Sequence, residues 1–258
     1  MTLVSIVTPS LNQSRYIAEA IESVRAQTHR EIEHVVVDGG STDGTLALLE
    51  TCADVRWVSE PDRGQSHALN KGFALARGEI LGWLNADDAY EPHAVMEAVN
   101  ALDGFGLAYA DVIRVDEDGS NPRRIRSRPA WDLWTELNEG NGIYSPAVFF
   151  TRAAFEAVGG IDESLNLTMD YDLWVRIGKR FPVRYVDAVW ALQRLHDDAK
   201  SIRHYDDFWP ERLAVSRRHG GRILSPLFIS RYVREPRARQ VATRVAAAAY
   251  VLAGKRPH

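Results

Sequence analysis

The sequence predicts an α/β fold: a mostly parallel central sheet with helices on both faces and a helical tail behind it. Three observations predict it. Strand and helix signals alternate over the first two hundred residues, and the loops that follow the strands are rich in Asp, Asn, Ser and Gly. One apolar run, Ile80, Leu81, Trp83 and Leu84, reads as a buried strand that ends abruptly in the adjacent carboxylates Asp87 and Asp88. Strand, loop and helix repeated at this pace imply parallel strands joined by right-handed crossovers, with their loops gathered along one edge. In an open α/β sheet that edge is where ligands bind.

Each element follows from local pattern. Val4 to Thr8 is a β-branched strand ended by Pro9-Ser10-Leu11-Asn12. Ser14 can cap the next helix, whose Ile17, Ala20, Ile21 and Val24 fall at helical spacing. Glu33 to Val37 is a second strand running into the glycine-rich turn Asp38 to Gly44, where Asp43 suits a helix cap. Arg56 to Ser59 is a third strand, Ser66 to Ala76 a helix, and the run at Ile80 a fourth strand. The loops at 9–12, 38–43, 60–65 and 85–88 should then share one mouth. Gly106 to Asp111 continues the sheet, and Val112 to Val115 with Arg124 to Ser127 reads as a hairpin around Asp116-Glu117-Asp118-Gly119. Trp131, Trp134 and Tyr144 suit a platform for a saccharide, although large aromatics such as Trp134 more often belong to the core. Met169 to Gly178 is helical, with Leu173, Trp174 and Ile177 inward and Asp170 in the first turn, where a helix N-terminus favours the carboxylate.

Composition narrows the class. At 258 residues, with 45% hydrophobic and 26% charged, the chain can bury a substantial core and is neither fibrous nor disordered. The single cysteine, Cys52, excludes an intramolecular disulfide and a cysteine-clustered zinc site, and points to a reducing, cytoplasmic setting. The amino terminus has no signal-peptide pattern, and no apolar run reaches the ~18 residues of a bilayer span. The net charge of −4 is uneven: residues 201–258 carry 12 Lys/Arg against 4 Asp/Glu. That basic tail mixes arginines with Trp209, Phe228, Ile229 and Tyr232, which fits peripheral contact with anionic lipid on the inner membrane face better than nucleic acid; a solvated helical pair is the other reading. The expected organisation is a body over 1–205, split into a ligand-binding half (1–110) and a second half (111–205), with a basic helical extension over 206–258.

Two adjacent carboxylates repel unless a cation lies between them and a partner. Mg²⁺ or Mn²⁺ gripping a diphosphate is one answer, since hard cations prefer oxygen ligands; the other is that Asp87 or Asp88 caps a helix beginning near Pro92. The turn at Asp38 matches neither a nucleoside-triphosphate loop nor a dinucleotide fingerprint. A contact from Asp38 to a base or ribose is its functional reading.

Val4 to Asn12, Val37-Asp-Gly-Gly-Ser-Thr-Asp-Gly-Thr45, Ser59-Glu-Pro-Asp-Arg-Gly-Gln65, Ala68-Leu-Asn-Lys-Gly72 and Leu84-Asn-Ala-Asp-Asp88 occur in the order and spacing that resembles family 2 glycosyltransferases of the GT-A, Rossmann-like fold. The resemblance continues through Gly159-Gly-Ile-Asp-Glu163 and Met169-Asp-Tyr-Asp-Leu-Trp174 to about Ser201. It implies an inverting, metal-dependent enzyme that moves a sugar from a nucleotide-diphospho-sugar, a UDP-sugar ahead of GDP- or dTDP-sugars, to a hydroxyl of a saccharide or lipid-linked acceptor in cell-surface polysaccharide synthesis. Carried onto this chain, it implies Pro9, Ser10, Asn12 and Asp38 around the nucleoside, Arg63 and Asn70 as donor contacts, Asn85 and Asp87 towards the ribose, and Asp88 as the acid for Mn²⁺ or Mg²⁺. His196 would be a second metal ligand or phosphate contact, and Asp170 the general base, with Asp172 its nearest rival. Asn85 stands where relatives carry an acid, and Met169 where they carry Glu. Nucleotidyl transfer and a non-catalytic carbohydrate-binding subunit are the competing functions.

Overall fold

The computed structural model describes residues 2–222 and residue 225. Its elements follow the chain as β1 (Val4–Ser10), α1 (Ile17–Arg25), β2 (Ile32–Asp38), α2 (Thr45–Glu50), β3 (Val55–Ser59), α3 (Gln65–Leu75), β4 (Ile80–Trp83), β5 (Ala89–Tyr90) and α4 (Ala94–Ala101). The second half holds β6 (Leu107–Val115), β7 (Arg123–Ile125), α5 (Leu133–Glu139), β8 (Val148–Thr151), α6 (Arg152–Ala157), α7 (Met169–Gly178), β9 (Val183–Arg194), α8 (Lys200–Arg203) and α9 (Tyr205–Arg218).

The sheet runs β3-β2-β1-β4-β8-β6-β9-β5, with β7 paired to β6. β3, β2, β1 and β4 are parallel, as the alternating pattern demands. Beyond β4 the sheet is mixed: β8 is antiparallel to β4 and β6, while β9 returns parallel to β6. The parallel expectation therefore describes the N-terminal half. The reversal comes at the hairpin from β6 into β7, and α5 then carries the chain across to β8, which runs in the same sense as β7 and so against β6 and β4. Val7, Val35, Val37, Leu81 and Trp83 turn to one face with Phe73, Phe150 and Trp174; Val4, Ile6, Phe149 and Trp190 fill the other.

Local signals shifted in three places. Ser14 does not cap α1; its amide donates to Asp43 Oδ2 at 2.9 Å, and no side chain caps α1. Helix α4 starts at Ala94, with strand β5 between it and Asp88, so the aspartate pair caps no helix. Trp134, expected in the core, is 45% exposed, with the Arg222 guanidinium 6.0 Å from its ring centroid. Trp131 is half-buried against the core instead: it packs so closely on Gly178 that a side chain there would meet its ring.

Helix α9 falls in the stretch expected to form a separate extension, yet it packs on α7. Asp172 of α7 is 1% exposed and receives Arg176 Nε at 2.6 Å and His219 Nε2 at 2.8 Å, so the end of α9 is joined to the body through a buried carboxylate. Among the described residues no helix is long and apolar enough to cross a membrane. The rest of the basic tail, and with it the expected lipid contact, lies outside the described residues.

Candidate active site

The ends of β1 and β4 and the start of α3 open onto a cavity of about 710 Å³ closed on its far side by the start of α7 and by α8 and α9. Pro9 and Ser10, the last residues of β1, line it because parallel pairing with β2 and β4 carries their backbone to the carboxyl edge. Asn85 and Asp87 line it from the loop after β4, and Asp170 faces them from the first turn of α7.

Asn85 is fixed from three sides. Its Oδ1 accepts from Gln65 Nε2 at 2.9 Å and Trp83 Nε1 at 2.8 Å, and its Nδ2 donates to Asp88 Oδ2 at 3.0 Å. A carboxylate at position 85 would accept the first two bonds but face Asp88 with like charge, which gives Asn a local reason to stand there.

The two aspartates part company. Asp87 is on the cavity wall, and its Oδ2 meets His196 Nε2 at 3.0 Å. Asp88 is 5% exposed and turned inward, its Oδ1 accepting the Arg194 backbone N–H at 3.1 Å. Burial and the neighbouring charge of Asp87 push its proton affinity well above the ordinary carboxylate range. The expected arrangement puts Asp88 on the metal and Asp87 towards the ribose; in this geometry Asp88 lies in the floor and Asp87 faces the opening. His196 follows β9, its ring tilted against that of Tyr16 with centroids 4.8 Å apart, and is raised in pKa chiefly by its bond to Asp87. Among the described residues no three His, Cys, Asp or Glu side chains form a group that could hold a metal ion. A cation here would rest on Asp87 and His196, an oxygen and nitrogen set that suits Mn²⁺ or Mg²⁺ when phosphate oxygens and water complete the shell.

Four expected contacts lie elsewhere. Asp38 is fully buried and is not among the cavity-lining residues; it accepts from the Gly40 and Ser41 amides and from the Ser41 and Ser59 hydroxyls. Burial alone would raise its pKa, yet these donors hold it below the ordinary value. Its bonds shape the turn. Asn12, at a φ of 53°, also serves the turn, its Oδ1 accepting from Thr42 N at 2.9 Å. Arg63 pairs with Glu163 at 2.7 Å on the surface, and Asn70 bonds Ile161 N, Ile161 O and Glu163, so both tie α3 and the loop before it to the loop after Gly160.

Asp170 sits in a different field. Burial pushes its pKa up to about 6, moderated by the Tyr171 amide that donates to it and then by Arg212. Lys200 and Arg212 line the cavity beside it, both lowered in pKa by burial, and Lys200 Nζ donates to Gln65 Oε1 at 3.3 Å. Across the floor Arg114 donates to Gln193 and lies over the Tyr144 ring. Gln65, Arg114, Lys200 and Arg212 went unseen in the sequence because Lys200 and Arg212 sit in or beside a stretch whose charge suggested solvent or lipid, and a Gln or a strand Arg carries no motif. Asp172, the rival base, is committed to Arg176 and His219 away from the cavity lining.

Comparison with known proteins bears on this arrangement. Residues 5–156 match the model of glycosyl transferase family 2. An uncharacterized glycosyltransferase of Rickettsia felis is 31% identical over 223 residues, covering 80% of this chain, and a chondroitin synthase of Escherichia coli is 29% identical over 212 residues, covering 79%. The chain spans about a third of their length, 36% and 30% respectively. Among solved structures, a mannosyltransferase from Pyrobaculum calidifontis in complex with GDP-Man and Mn²⁺ superposes with a TM-score of 0.67 at 22% identity, over 99% of this chain and 77% of that one. Staphylococcus aureus TarS with UDP-GlcNAc gives 0.66 at 18%, over 83% and 66%. At these identities the likeness shows the fold, which is GT-A. With the motifs in order along the parallel half and the family model covering more than half its length, the chain belongs to glycosyl transferase family 2.

Proposed function

We propose that the protein transfers a sugar with inversion from a nucleotide-diphospho-sugar to a hydroxyl of a saccharide or lipid-linked acceptor, within cell-surface polysaccharide synthesis. The observation that carries this reading is the pairing of Asp87 and Asp170 across one cavity, contributed by opposite halves of the chain, with Asp170 poised at about 6. A general base works best when its pKa lies near the operating pH.

In this mechanism Pro9 and Ser10 border the nucleoside, and Asp87 with His196 would hold a divalent cation. When bound, that cation would neutralise the charge that develops on the departing diphosphate. Asp170 takes the acceptor hydroxyl proton as that oxygen bonds the anomeric carbon and the bond from that carbon to the diphosphate oxygen breaks. One protein carboxylate suffices, because the diphosphate leaves without the acid that glycoside hydrolysis requires. Lys200 and Arg212 bring positive charge to the same end of the cavity. The donors named for the structural neighbours, UDP-GlcNAc and GDP-Man, support a UDP- or GDP-sugar. We place the work at the cytoplasmic membrane face, on the basic composition of residues 206–258.

Incubation with UDP-, GDP- and dTDP-sugars and Mn²⁺ tests the reading. Release of nucleoside diphosphate, slowly to water and faster with acceptor, is expected; pyrophosphate would mean nucleotidyl transfer, and no turnover of any donor would mean a binding subunit.

A further inference from the structure

The carboxylate of Glu211, on α9, gathers the chain just ahead of Asp170. Its Oε1 accepts from Leu167 N at 2.8 Å, Thr168 N at 2.7 Å and Thr168 Oγ1 at 2.9 Å, and Asn166 N reaches its two oxygens at 3.2 and 3.1 Å. Thr168, the N-cap residue of α7, has no capping bond of its own, and in the first turn the Tyr171 amide donates to Asp170 Oδ1 at 2.7 Å. The first turn of a helix leaves backbone N–H groups without intrahelical partners, and a carboxylate there both satisfies them and opposes the helix dipole. Of those groups Glu211 reaches, from another element, the N-cap amide of Thr168, two residues upstream of the proposed base, together with the amides of Asn166 and Leu167 just ahead of it.

We propose that Glu211 is a positioning residue, holding the first turn of α7 so that Asp170 faces the cavity. The inference rests on the reading of Asp170 as the base. Asn166, Leu167, Met169 and Asp170 all line the cavity, so whatever fixes this segment also fixes the wall that meets the acceptor. The stretch lies beyond residues 5–156, where the family model matches, and α9 lies further still. The charged groups around Asp170 are Glu211 and Arg212 from α9 and Lys200 from α8; Glu211 raises the proton affinity of Asp170 and Arg212 lowers it. Glu211 itself, against burial, is held below the ordinary carboxylate pKa by the amides of 166–168, so it is charged wherever the enzyme works.

The test uses the full chain, Mn²⁺ and whichever UDP- or GDP-sugar the wild type hydrolyses, with Glu211→Ala, Glu211→Gln and Asp170→Asn compared. Glu211→Ala should speed amide exchange at 167 and 168, lower kcat about tenfold or more, leave nucleoside diphosphate affinity within about twofold and move the acid limb of the kcat/KM profile to lower pH, because a like charge near the base is gone. Glu211→Gln keeps an accepting oxygen, so it should restore most of kcat while retaining the shifted limb. Unchanged exchange and kcat in Glu211→Ala, an unmoved acid limb in both variants, or loss of nucleotide binding in Glu211→Gln would overturn the proposal, the last by assigning Glu211 to folding alone. Should Asp170→Asn keep its turnover, the base assignment falls and this inference with it; should Asp170→Asn be inactive while Glu211→Ala matches wild type, only the positioning role falls.

Discussion

At the scale of single residues, the chemistry depends on two carboxylates in unlike surroundings. Asp170→Asn and Asp87→Asn should each lower turnover by about 10²–10⁴-fold with unchanged circular dichroism. Asp88→Asn should act through stability, since its carboxylate serves Asn85 and the Arg194 amide; a melting shift larger than its activity loss would agree. The pH profile follows from the Asp170 pKa of about 6. The base must be ionised, so activity should fall below about pH 6. The stability effect has the opposite sense: a folded pKa above the unfolded value favours the folded state at low pH and loses that contribution as pH rises through 6. Asp170→Asn should therefore melt no lower than wild type at pH 8, and the difference between the two should shrink at pH 5. Some of these residues were legible beforehand and some were not. Asp87 and Asp88 stood out together by strand-end placement, and Asp170 by its motif position in the first turn of a helix, whereas the two adjacent aspartates could be told apart only by knowing which side chain the loop turns inward.

At the scale of elements, the junction of α7 with α9 is the joint to probe. Asp172 is buried between Arg176 and His219, and removing one member of a buried pair strands the others at a cost of about 3–5 kcal/mol. Asp172→Ala should lower the chemical-denaturation midpoint accordingly, without a pH-shifted rate profile. Although burial would raise it, the Asp172 pKa is pulled down by His219 and Arg176, so its contribution is full above about pH 4 and lost as pH falls through the lower folded value. A second probe is Gly72 in α3, where a Cβ would collide with Val7 of β1. Gly72→Ala should cost about 1–3 kcal/mol by overpacking. The strands of the parallel half were plain in the sequence, because each is a short apolar or β-branched run closed soon after by Gly, Pro, Asn or Asp. The place of β8 was not: the β6–β7 hairpin that reverses the chain shows in the pattern, but the insertion of β8 between β4 and β6 depends on pairing between distant segments.

At the scale of the whole molecule, ligand and fold should be linked. A nucleoside diphosphate with Mn²⁺ at about a hundred times its Kd should stabilise the protein by about 2.7 kcal/mol, read as a rise in melting temperature that EDTA reverses. Asp87→Asn should lose the Mn²⁺-dependent part of that rise; an undiminished rise would move the cation elsewhere. The general plan of the molecule was readable from alternation and motif order. The contribution of α9 was not, because basic composition describes a surface and says nothing of which carboxylate within it points inward.

Glu211 grips main-chain amides, and amides are common to almost every residue type. The side chains of Asn166 and Leu167 are thereby released from any duty in holding their own loop, while they border the chamber where an incoming molecule must rest. These two positions are the natural place for a saturation library: new shapes can be tried there against new acceptors without loosening the anchor behind them.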